Sequence, residues 1–400
     1  MTATEPWLRA LADLQLRSHR LLPDDLPMVV DAVLRPLGVT STIYLVDAEQ
    51  CDLRPLPTPG RPTPAPLPID VSLAGRAFTQ VEVHAGQGPP PRLWVPVVDG
   101  TDRLGLLEIV PPPGVDLDDA ALRGGCRLVA GLIGHLITSK SSYGDGLQRA
   151  RRSQRMEVSA ELLWQLLPPL TFATPDATIS ALLEPSYEVG GDAFDYALNG
   201  NTVTLAILDG VGHGLPAVLT TSVALAAMRA ARRAGSDLAG LARAVDAAIL
   251  SQWRDARFVT AVLAEFDTGT GLLRYLNAGH PPPLLLRGGR TVQALTEGRR
   301  LPLGLPNDRI EAARTRLEPD DRLLLYTDGV TEARNDAGEL FGLGRLADLA
   351  ERHISSGLPT PETLRRLSHA VIEHQDGRLR DDTTLLLVEW SPEAAARVEP

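Results

Sequence analysis

Aspartates beside glycines are the residues of this sequence whose types and spacing could do chemistry. They occur in four short motifs, EVGGDAFD at 188–195, LDGVGHG at 208–214, YTDGVTE at 326–332 and RDDTT at 380–384. Each acid adjoins an apolar run typical of a β-strand, where an ionised carboxylate is costly to bury without a compensating partner. Mg²⁺ and Mn²⁺ prefer carboxylate oxygens and water, and aspartates from several strand ends can hold two such ions. Glycine beside the acids of the first three motifs permits tight turns and a close approach of backbone to ligand.

A single Asp-Gly pair after a strand more often marks a turn than a metal ligand. Four such motifs between residues 188 and 384 instead indicate one shared site. The chain has no HExxH, GxSxG, P-loop or repeated CxxC motif that would favour another kind of active site. The residues therefore predict a divalent-cation site built from aspartates.

The elements that must position these acids follow Pro169. Strands are predicted at Ile179–Leu183, Val203–Asp209, Val259–Phe266, Leu272–Leu276, Leu284–Arg287, Arg322–Asp328 and Thr384–Trp390. Helices are predicted in two pairs, Leu215–Arg233 with Leu238–Gln252, and Leu343–Ile354 with Glu362–His374. Sequential strands joined by short turns predict antiparallel sheets, and paired helices predict covering layers, which is an α+β design.

Residues 10–140 form a separate mixed α/β module. Helices are predicted over Leu8–Leu22, Leu26–Leu37 and Asp118–Lys140, and strands over Thr42–Val46, Leu93–Val98 and Leu104–Val110. The prolines between Pro55 and Pro68 cannot supply regular ladder donors and predict a surface loop. This order of elements, with the LAGRAF segment and the RLWVPVVDGTDRLGLLEIV hairpin, resembles a GAF sensory domain. The resemblance implies a sensor for a small molecule or for a protein, and a purely structural or dimerising role is the alternative.

A linker helix over residues 145–169 is expected to join the two parts. The stretch from Leu147 to Leu167 contains no glycine or proline, with arginines at its start and an apolar stripe that includes Met156 and Leu163. That stripe could pair two copies of the chain in a homodimer, although its heptad pattern holds for only about two or three turns.

The order and spacing of motifs in residues 170–391 are typical of one enzyme family. GGDAFD, DGVGHGLPA, NAGHPPPLLL, LPLGL, LLLYTDGVTEARNDAGELFG and DDTTLLLVEW together resemble the metal-dependent PPM (PP2C-like) serine/threonine phosphatases, specifically the SpoIIE/RsbU-type branch. The resemblance implies a four-layer αββα fold with its metal site at one edge of a β-sandwich. It also implies two Mn²⁺ or Mg²⁺ ions as cofactors, which activate water for in-line attack on a phosphoserine or phosphothreonine.

The same resemblance assigns the metal ligands. Asp209 would bridge both ions, and the Gly210 carbonyl would add a ligand to one of them. Asp328 and Asp381 would complete the other ion. Asp192 would hold the second metal, directly or through water. Asp382 and Asp195 would support these ligands from behind.

Several groups could supply the proton to the leaving oxygen. His213 could donate a proton or cap the helix that follows it, whereas His280 is expected to be structural. A metal-bound water could make both dispensable. Glu188 and Glu332 are expected to be surface or turn carboxylates.

Composition limits the other classes of function. With 400 residues and 44% hydrophobic content, the chain can fold two or three domains. Its 50 acids against 39 bases give a net charge of −11, which argues against nucleic-acid and anionic-membrane partners. Cys51 and Cys126 have no CxxC partner, which argues against disulfide scaffolds and zinc clusters. The N-terminus lacks an export pattern and no apolar run reaches the roughly 20 residues of a membrane span, so we expect a cytoplasmic location.

The leading hypothesis is therefore a GAF-regulated phosphatase. Its substrate, implied by the resemblance, is a phosphorylated STAS-type anti-anti-sigma protein. The alternative is a catalytically inactive sensor or scaffold with a phosphatase-like domain, and the presence of Asp209, Asp328 and Asp381 favours the enzyme. A metal-dependent cyclic-nucleotide hydrolase is disfavoured, since the eight histidines are scattered and form no cluster with aspartates.

Overall fold

Two compact units make up the chain, Met1–Gln154 with Ala396–Pro400, and Arg155–Ala395. The computed structural model describes residues 5–188, 190–253, 255–307, 310–377, 379–391, 393 and 395–400, apart from the side chains of Val292 and Ala395. Val189 of the first aspartate motif lies outside the described residues.

The N-terminal unit is built on one antiparallel sheet. Its strands are β1 (Thr40–Val46), β2 (Asp52–Pro55), β3 (Leu67–Pro68), β4 (His84–Gly86), β5 (Arg92–Asp99) and β6 (Asp102–Val110). Its helices are α1 (Glu5–Ser18), α2 (Leu26–Leu34), α3 (Leu73–Gln80), α4 (Ala120–Lys140) and α5 (Gly146–Ala150). The strands are ordered β3-β2-β1-β6-β5-β4 across the sheet.

Strand β1 shows that this sheet is covered on both faces. Ile43 and Leu45 belong to a core that includes residues of α1, α2 and α4, whereas Tyr44 and Val46 belong to a second core that includes residues of α3. Successive side chains of a strand point to opposite faces, so a strand buried on both faces has a continuous apolar sequence. The unit is consistent with the GAF-like domain expected from the sequence.

Helix α4 passes a simple test for a membrane span. Among the described residues, it is the one candidate by length and composition, over Ala120–Tyr143. Half of the tested window is buried inside the protein, and core helices pass the same test. The helix is therefore weak evidence for a membrane span.

The C-terminal unit contains two sheets. The first consists of β9 (Asp192–Asn199), β10 (Thr202–Gly210), β11 (Val259–Asp267), β12 (Leu272–Ala278), β15 (Arg299–Arg300) and β16 (Ala313–Arg316). The second consists of β7 (Thr171–Ala173), β8 (Ala177–Glu184), β13 (Leu284–Arg287), β14 (Arg290–Ala294), β17 (Arg322–Tyr326) and β18 (Thr383–Trp390). The helices are α6 (Val158–Trp164), α7 (Leu215–Arg233), α8 (Leu238–Gln252), α9 (Asp328–Thr331), α10 (Gly342–Ser355) and α11 (Thr360–His374). The sheet orders are β15-β12-β11-β10-β9, with β16 also on β12, and β14-β13-β17-β18-β8-β7.

These elements form four layers. Helix α7 packs on β9 and β10 and α8 packs on β11, while α11 packs on β8 and β18. In β18, Leu386 joins the core shared with β10 of the other sheet, whereas Leu385 and Leu387 face Leu364 and Leu367 of α11. The αββα fold and the α+β class predicted from the sequence are confirmed.

The prediction of one continuous linker helix over residues 145–169 is wrong. Helix α5 ends at Ala150 and α6 begins only at Val158. The backbone between them is bonded elsewhere, since the Ala48 N–H donates to the Arg151 carbonyl at 3.0 Å and the Glu157 N–H donates to the Tyr187 carbonyl at 2.9 Å. Tertiary hydrogen bonds thus override the local helix propensity of an arginine-rich stretch.

Helix α6 belongs to the core of the C-terminal unit. Ala160 and Leu163 are fully buried there, and Met156, Leu162 and Leu166 pack against the same core. The apolar stripe that was predicted to pair two copies of the chain therefore packs within its own unit. It does not supply the interface predicted for a homodimer.

Two differences from the predicted strands concern the aspartate motifs. The strand predicted to reach Asp328 ends at Tyr326, and Asp328 is the first residue of α9. Strand β9 was absent from the predicted set, yet it carries Asp192 as its first residue.

Candidate metal centre

Four predicted ligands lie where four strands of the C-terminal unit begin or end. Asp192 opens β9 and Asp209 lies near the end of β10, and the two residues are direct cross-strand partners. In the second sheet, Asp328 lies two residues after β17 and Asp381 lies two residues before β18. Strands β17 and β18 are antiparallel neighbours, with Tyr326 opposite Leu385. Each sheet therefore contributes one pair of acids.

Two threonine hydroxyls from the strand ends of the second sheet bind Asp192 of the first sheet. Thr327 Oγ1 and Thr384 Oγ1 each donate to Asp192 Oδ2 at 2.7 Å. Thr327 Oγ1 also accepts from the Thr384 N–H at 3.0 Å. Asp192 is only 3% exposed, so this pair of hydroxyls fixes the orientation of a buried carboxylate.

Asp382 holds the loop that leads into β9. Its carboxylate accepts from the backbone N–H groups of Gly190 and Gly191, each at 2.7 Å, and from that of Asp192 at 3.1 Å. A Cβ on Gly190 would lie 2.9 Å from Asp382 Oδ2, and one on Gly191 would lie 2.6 Å from the Gly210 carbonyl oxygen. Gly190 is therefore required because its backbone closely approaches the Asp382 carboxylate. Gly191 is required because the start of β9 closely approaches the end of β10.

The glycines of the two Asp-Gly pairs are also packed against backbone or side chains. A Cβ on Gly329 would overlap the Asp382 carbonyl oxygen, and one on Gly210 would overlap the Thr221 hydroxyl. Thr221 in turn donates to the Gly191 carbonyl at 2.6 Å. These contacts place the Gly210 backbone beside the loop that carries Asp192.

Asp192, Asp209, Asp328, Asp381 and Asp382 are called the aspartate cluster below. Burial, followed by the charges of Asp328 and Asp381, raises the pKa of Asp209 to about 7. Burial and the charge of Asp382 raise the pKa of Asp192 well above its ordinary range. Burial, followed by the charge of Asp381, also raises the pKa of Asp328. Carboxylates that raise one another's pKa favour binding of a cation, because the cation removes the repulsion.

The donor set suits a hard divalent cation. It consists of carboxylate oxygens together with the neighbouring Gly210 carbonyl, which are ligands that Mg²⁺ and Mn²⁺ accept. Within the described ranges, no three His, Cys, Asp or Glu side chains converge closely enough to make a completed coordination sphere. The donor atoms therefore have the right chemistry for such a cation, without forming a completed coordination sphere in the described residues.

Asp195 is separate from the aspartate cluster. It is 1% exposed, and its two carboxylate oxygens each lie 2.6 Å from an arginine of α7, Arg229 and Arg232. Arg229 also donates to the Leu166 carbonyl at 2.7 Å. Asp195 thus anchors α7 on β9. Of the two acids predicted to support the metal ligands, only Asp382 contacts the loop that carries one of them.

The two histidines of the motifs occupy different environments. His213 is exposed in the turn between β10 and α7. Gly214 occupies the N-cap of α7 without a side-chain cap, so the capping alternative for His213 is wrong. His280 is 5% exposed, and its ring contacts the Thr260 hydroxyl at 2.8 Å and the Tyr326 carbonyl at 3.1 Å.

Two threonines that bind Asp192 were not predicted from the sequence. Thr327 and Thr384 stand within the TDG and DDTT motifs, next to predicted ligands, and this adjacency was the signal that could have identified them. Glu188 and Glu332 are exposed, as expected. The charge of Glu332 nevertheless contributes to the raised pKa of Asp328.

The C-terminal unit matches a known family. Residues 199–391 match the family model for Stage II sporulation protein E (SpoIIE). The chain is 25% identical over 244 residues to phosphoserine phosphatase RsbU of Bacillus subtilis (strain 168). The aligned stretch covers 61% of this chain and 72% of RsbU. It is 29% identical over 190 residues to phosphoserine phosphatase RsbP of the same organism, covering 44% of this chain and 47% of RsbP. Among solved structures, the SiaA-PP2C domain of Pseudomonas aeruginosa is 26% identical, with a TM-score of 0.49, over 63% of this chain and 98% of that domain.

The αββα fold with acids at its strand ends, together with the family match and the two phosphoserine phosphatase relatives, defines a PP2C-like serine/threonine phosphatase domain. Within that class, the matched residues 199–391 of the C-terminal unit belong to the SpoIIE family.

Proposed function

We propose that this chain is a metal-dependent phosphatase that removes phosphate from phosphoserine or phosphothreonine of a regulatory protein. The observation that carries the proposal is the aspartate cluster, in which Asp192 of one sheet is held by Thr327 and Thr384 at the strand ends of the other. The SpoIIE family match and the similarity to two phosphoserine phosphatases support it.

Two Mn²⁺ or Mg²⁺ ions are the proposed cofactors. Asp209 is proposed as the shared ligand, with the Gly210 carbonyl on one ion, Asp328 and Asp381 on the other, and Asp192 on the second ion directly or through water. When bound, such ions supply Lewis acidity that lowers the pKa of water and neutralises charge on the phosphoryl oxygens.

The protein residues contribute by position. The hydroxyls of Thr327 and Thr384 occupy one oxygen of Asp192 and leave the other available for ligation. Asp382 binds three successive backbone N–H groups and so keeps the Asp192 loop in place. Held carboxylates lose little freedom on binding a cation, which favours affinity.

His213 is the proposed proton donor for the leaving oxygen. It is exposed and lies in the turn that follows Gly210. His280 is buried with both ring nitrogens in contact with neighbours, so it cannot reach a phosphorylated side chain. Replacing His213 by glutamine should lower kcat for a poor leaving group more than for a good one, because only a poor leaving group needs protonation.

The proposed substrate is a phosphorylated STAS-type anti-anti-sigma protein, the class implied by the resemblance to the RsbU-type branch. The N-terminal residues 10–140 are proposed as a GAF-like regulatory domain and residues 170–391 as the catalytic domain. Cys51 and Cys126 are not joined in a disulfide, in keeping with the proposed cytoplasmic location.

Phosphate release from a generic phosphomonoester tests the proposal. The full chain would be assayed with Mn²⁺, with Mg²⁺ and with EDTA, beside Asp209→Asn and the control Asp176→Asn, which changes an exposed turn residue. We expect metal-dependent release that EDTA and Asp209→Asn abolish and Asp176→Asn preserves. Release that survives both EDTA and Asp209→Asn would overturn the mechanism. Inactivity with every metal, also against a phosphorylated STAS protein, would favour the inactive scaffold.

A further inference from the structure

The NAGH turn after β12 holds the His280 ring against β11. Asn277 Oδ1 accepts from the His280 backbone N–H at 2.8 Å. Gly279 has a φ of 73°, in the left-handed region that favours glycine. A bridge between Gly279 and Ala261 places this turn beside Thr260. The motif thus fixes the position of an imidazole next to a strand of the proposed metal site.

The surroundings of His280 determine which ring nitrogen carries the proton. Nε2 lies 3.1 Å from the Tyr326 carbonyl oxygen, which can only accept, so Nε2 is protonated. Burial lowers the pKa of His280 to about 3, so the ring is neutral at neutral pH. Nδ1 is consequently an acceptor, and the Thr260 hydroxyl donates to it at 2.8 Å.

Thr260 is also the direct cross-strand partner of Asp209. Its Oγ1 lies 3.5 Å from Asp209 Oδ2, at the outer limit of a hydrogen bond, whereas 2.8 Å to His280 is close to the optimum. A threonine hydroxyl has a single proton, which is therefore committed to His280. Asp192 differs, because its Oδ2 accepts from two hydroxyls.

We propose that His280 is a positioning residue which keeps the Thr260 proton away from Asp209, so that both carboxylate oxygens of Asp209 remain available to divalent cations. This inference rests on the proposed function, because it assigns His280 a role in metal binding by Asp209. It gives the NAGH motif a function without contact between His280 and the substrate.

Removing the acceptor at Nδ1 should redirect the Thr260 hydroxyl towards Asp209. A hydrogen bond to a carboxylate is stronger than one between neutral groups, and here it would compete with the cation. The expected consequence is Mn²⁺ binding that is weaker by about tenfold, in the range seen when groups that support metal ligands are changed.

Two replacements of His280 separate its two contacts. His280→Gln places an amide N–H near the Nε2 position and so keeps a donor for Tyr326, but it loses the acceptor for Thr260. His280→Asn places an amide oxygen near the Nδ1 position and so keeps that acceptor. Thr260→Val removes the competing hydroxyl itself, alone or combined with His280→Gln.

Mn²⁺ titration calorimetry on the full chain tests the proposal without any measurement of activity. We expect His280→Gln to bind about tenfold more weakly than wild type. His280→Asn, Thr260→Val and the double variant should all bind within about threefold of wild type, which is close to neutral. Wild-type affinity in His280→Gln would overturn the proposal. A double variant as weak as His280→Gln would also overturn it, since the loss would then come from packing.

The outcomes distinguish the two levels of inference. If the wild-type chain binds Mn²⁺ and all the variants bind it with the same affinity, the role of His280 is refuted while the proposed function stands. If the wild-type chain binds no Mn²⁺, the proposed function fails as well. Should His280→Gln be unfolded by circular dichroism, ¹⁵N ring shifts of His280 in the wild-type chain decide. The proposal requires an Nε2-protonated ring between pH 6 and 8, and an Nδ1-protonated ring would overturn it.

Discussion

Replacing Asp209 by asparagine should stabilise the metal-free protein while it removes the proposed shared ligand. Burial and the charges of Asp328 and Asp381 raise the pKa of Asp209 from 3.8 to about 7. A folded-state pKa above the unfolded value means that the folded state binds the proton more tightly. The resulting stabilisation is complete below pH 3.8 and is lost as the pH rises through 7. Asparagine has nearly the same size and no charge, so it avoids this loss.

The size of the effect follows from the two pKa values. At about 1.36 kcal/mol per pKa unit, the loss reaches on the order of 4 kcal/mol at pH 8, of which about 2.5 kcal/mol falls between pH 5 and 8. In a domain of this size, 1 kcal/mol shifts the melting temperature by about 2–4 °C. The advantage of Asp209→Asn should therefore grow by roughly 5–10 °C between pH 5 and pH 8.

Scanning calorimetry of the full chain in EDTA at several pH values measures this difference. Asp195→Asn is the matched control, because it removes a buried charge from β9 that is paired with Arg229 and Arg232. That variant should melt below wild type throughout, since two arginines lose their partner. Excess Mn²⁺ should raise the melting temperature of wild type and leave Asp209→Asn unchanged. A gap between Asp209→Asn and wild type that stays constant or shrinks as the pH rises would refute the reasoning.

Two further substitutions probe the support of the cluster. Thr384→Val should weaken Mn²⁺ binding about tenfold, because Asp192 Oδ2 loses one of its two hydroxyl donors. Thr384→Ser keeps the donor and should titrate like wild type, and equal affinity in both variants would contradict this role. Gly329→Ala should destabilise the chain by about 2 kcal/mol or more in urea and abolish phosphate release, because its Cβ would overlap the Asp382 carbonyl. Gly344→Ala, whose Cβ meets no atom within 4 Å in α10, should instead stabilise slightly. A Gly329→Ala variant as stable and active as wild type would show that this close approach is dispensable.

Strongly periodic segments could be predicted from the sequence almost to the residue. The bounds of α7, α8 and β13 are those expected, because a long apolar stripe or a short apolar run between turns leaves little choice. Strand β9 was not predicted because the two acids of its sequence DAFDYALN stand three residues apart, which breaks the period of two expected of a strand. Its burial depends on β10, which follows it directly as its hairpin partner, and on α7, which packs against it. The interrupted linker shows the opposite case. Its local composition favours a helix, but hydrogen bonds to backbone groups far away in the sequence interrupt that helix.

The aspartates of the site could be predicted as a set, but their separate roles could not. Asp382 and Asp195 both stand beside proposed ligands in the sequence. Asp382 binds backbone N–H groups about 190 residues away, whereas Asp195 binds Arg229 and Arg232 of α7. These partners are fixed by the meeting of two sheets and by the packing of α7, and no local pattern encodes either contact.

Asp192 and Asp195 show which physical property separates a ligand-binding acid from a structural one. Both are buried in the same strand, 3% and 1% exposed. Two arginines pair with Asp195 and compensate its buried charge. Asp192 is met by two hydroxyls and by the like charges of Asp382 and Asp209, so its ionised form stays unfavourable until a cation arrives. Burial alone therefore does not mark a functional acid; burial among like charges does, because only a positively charged ligand removes that cost.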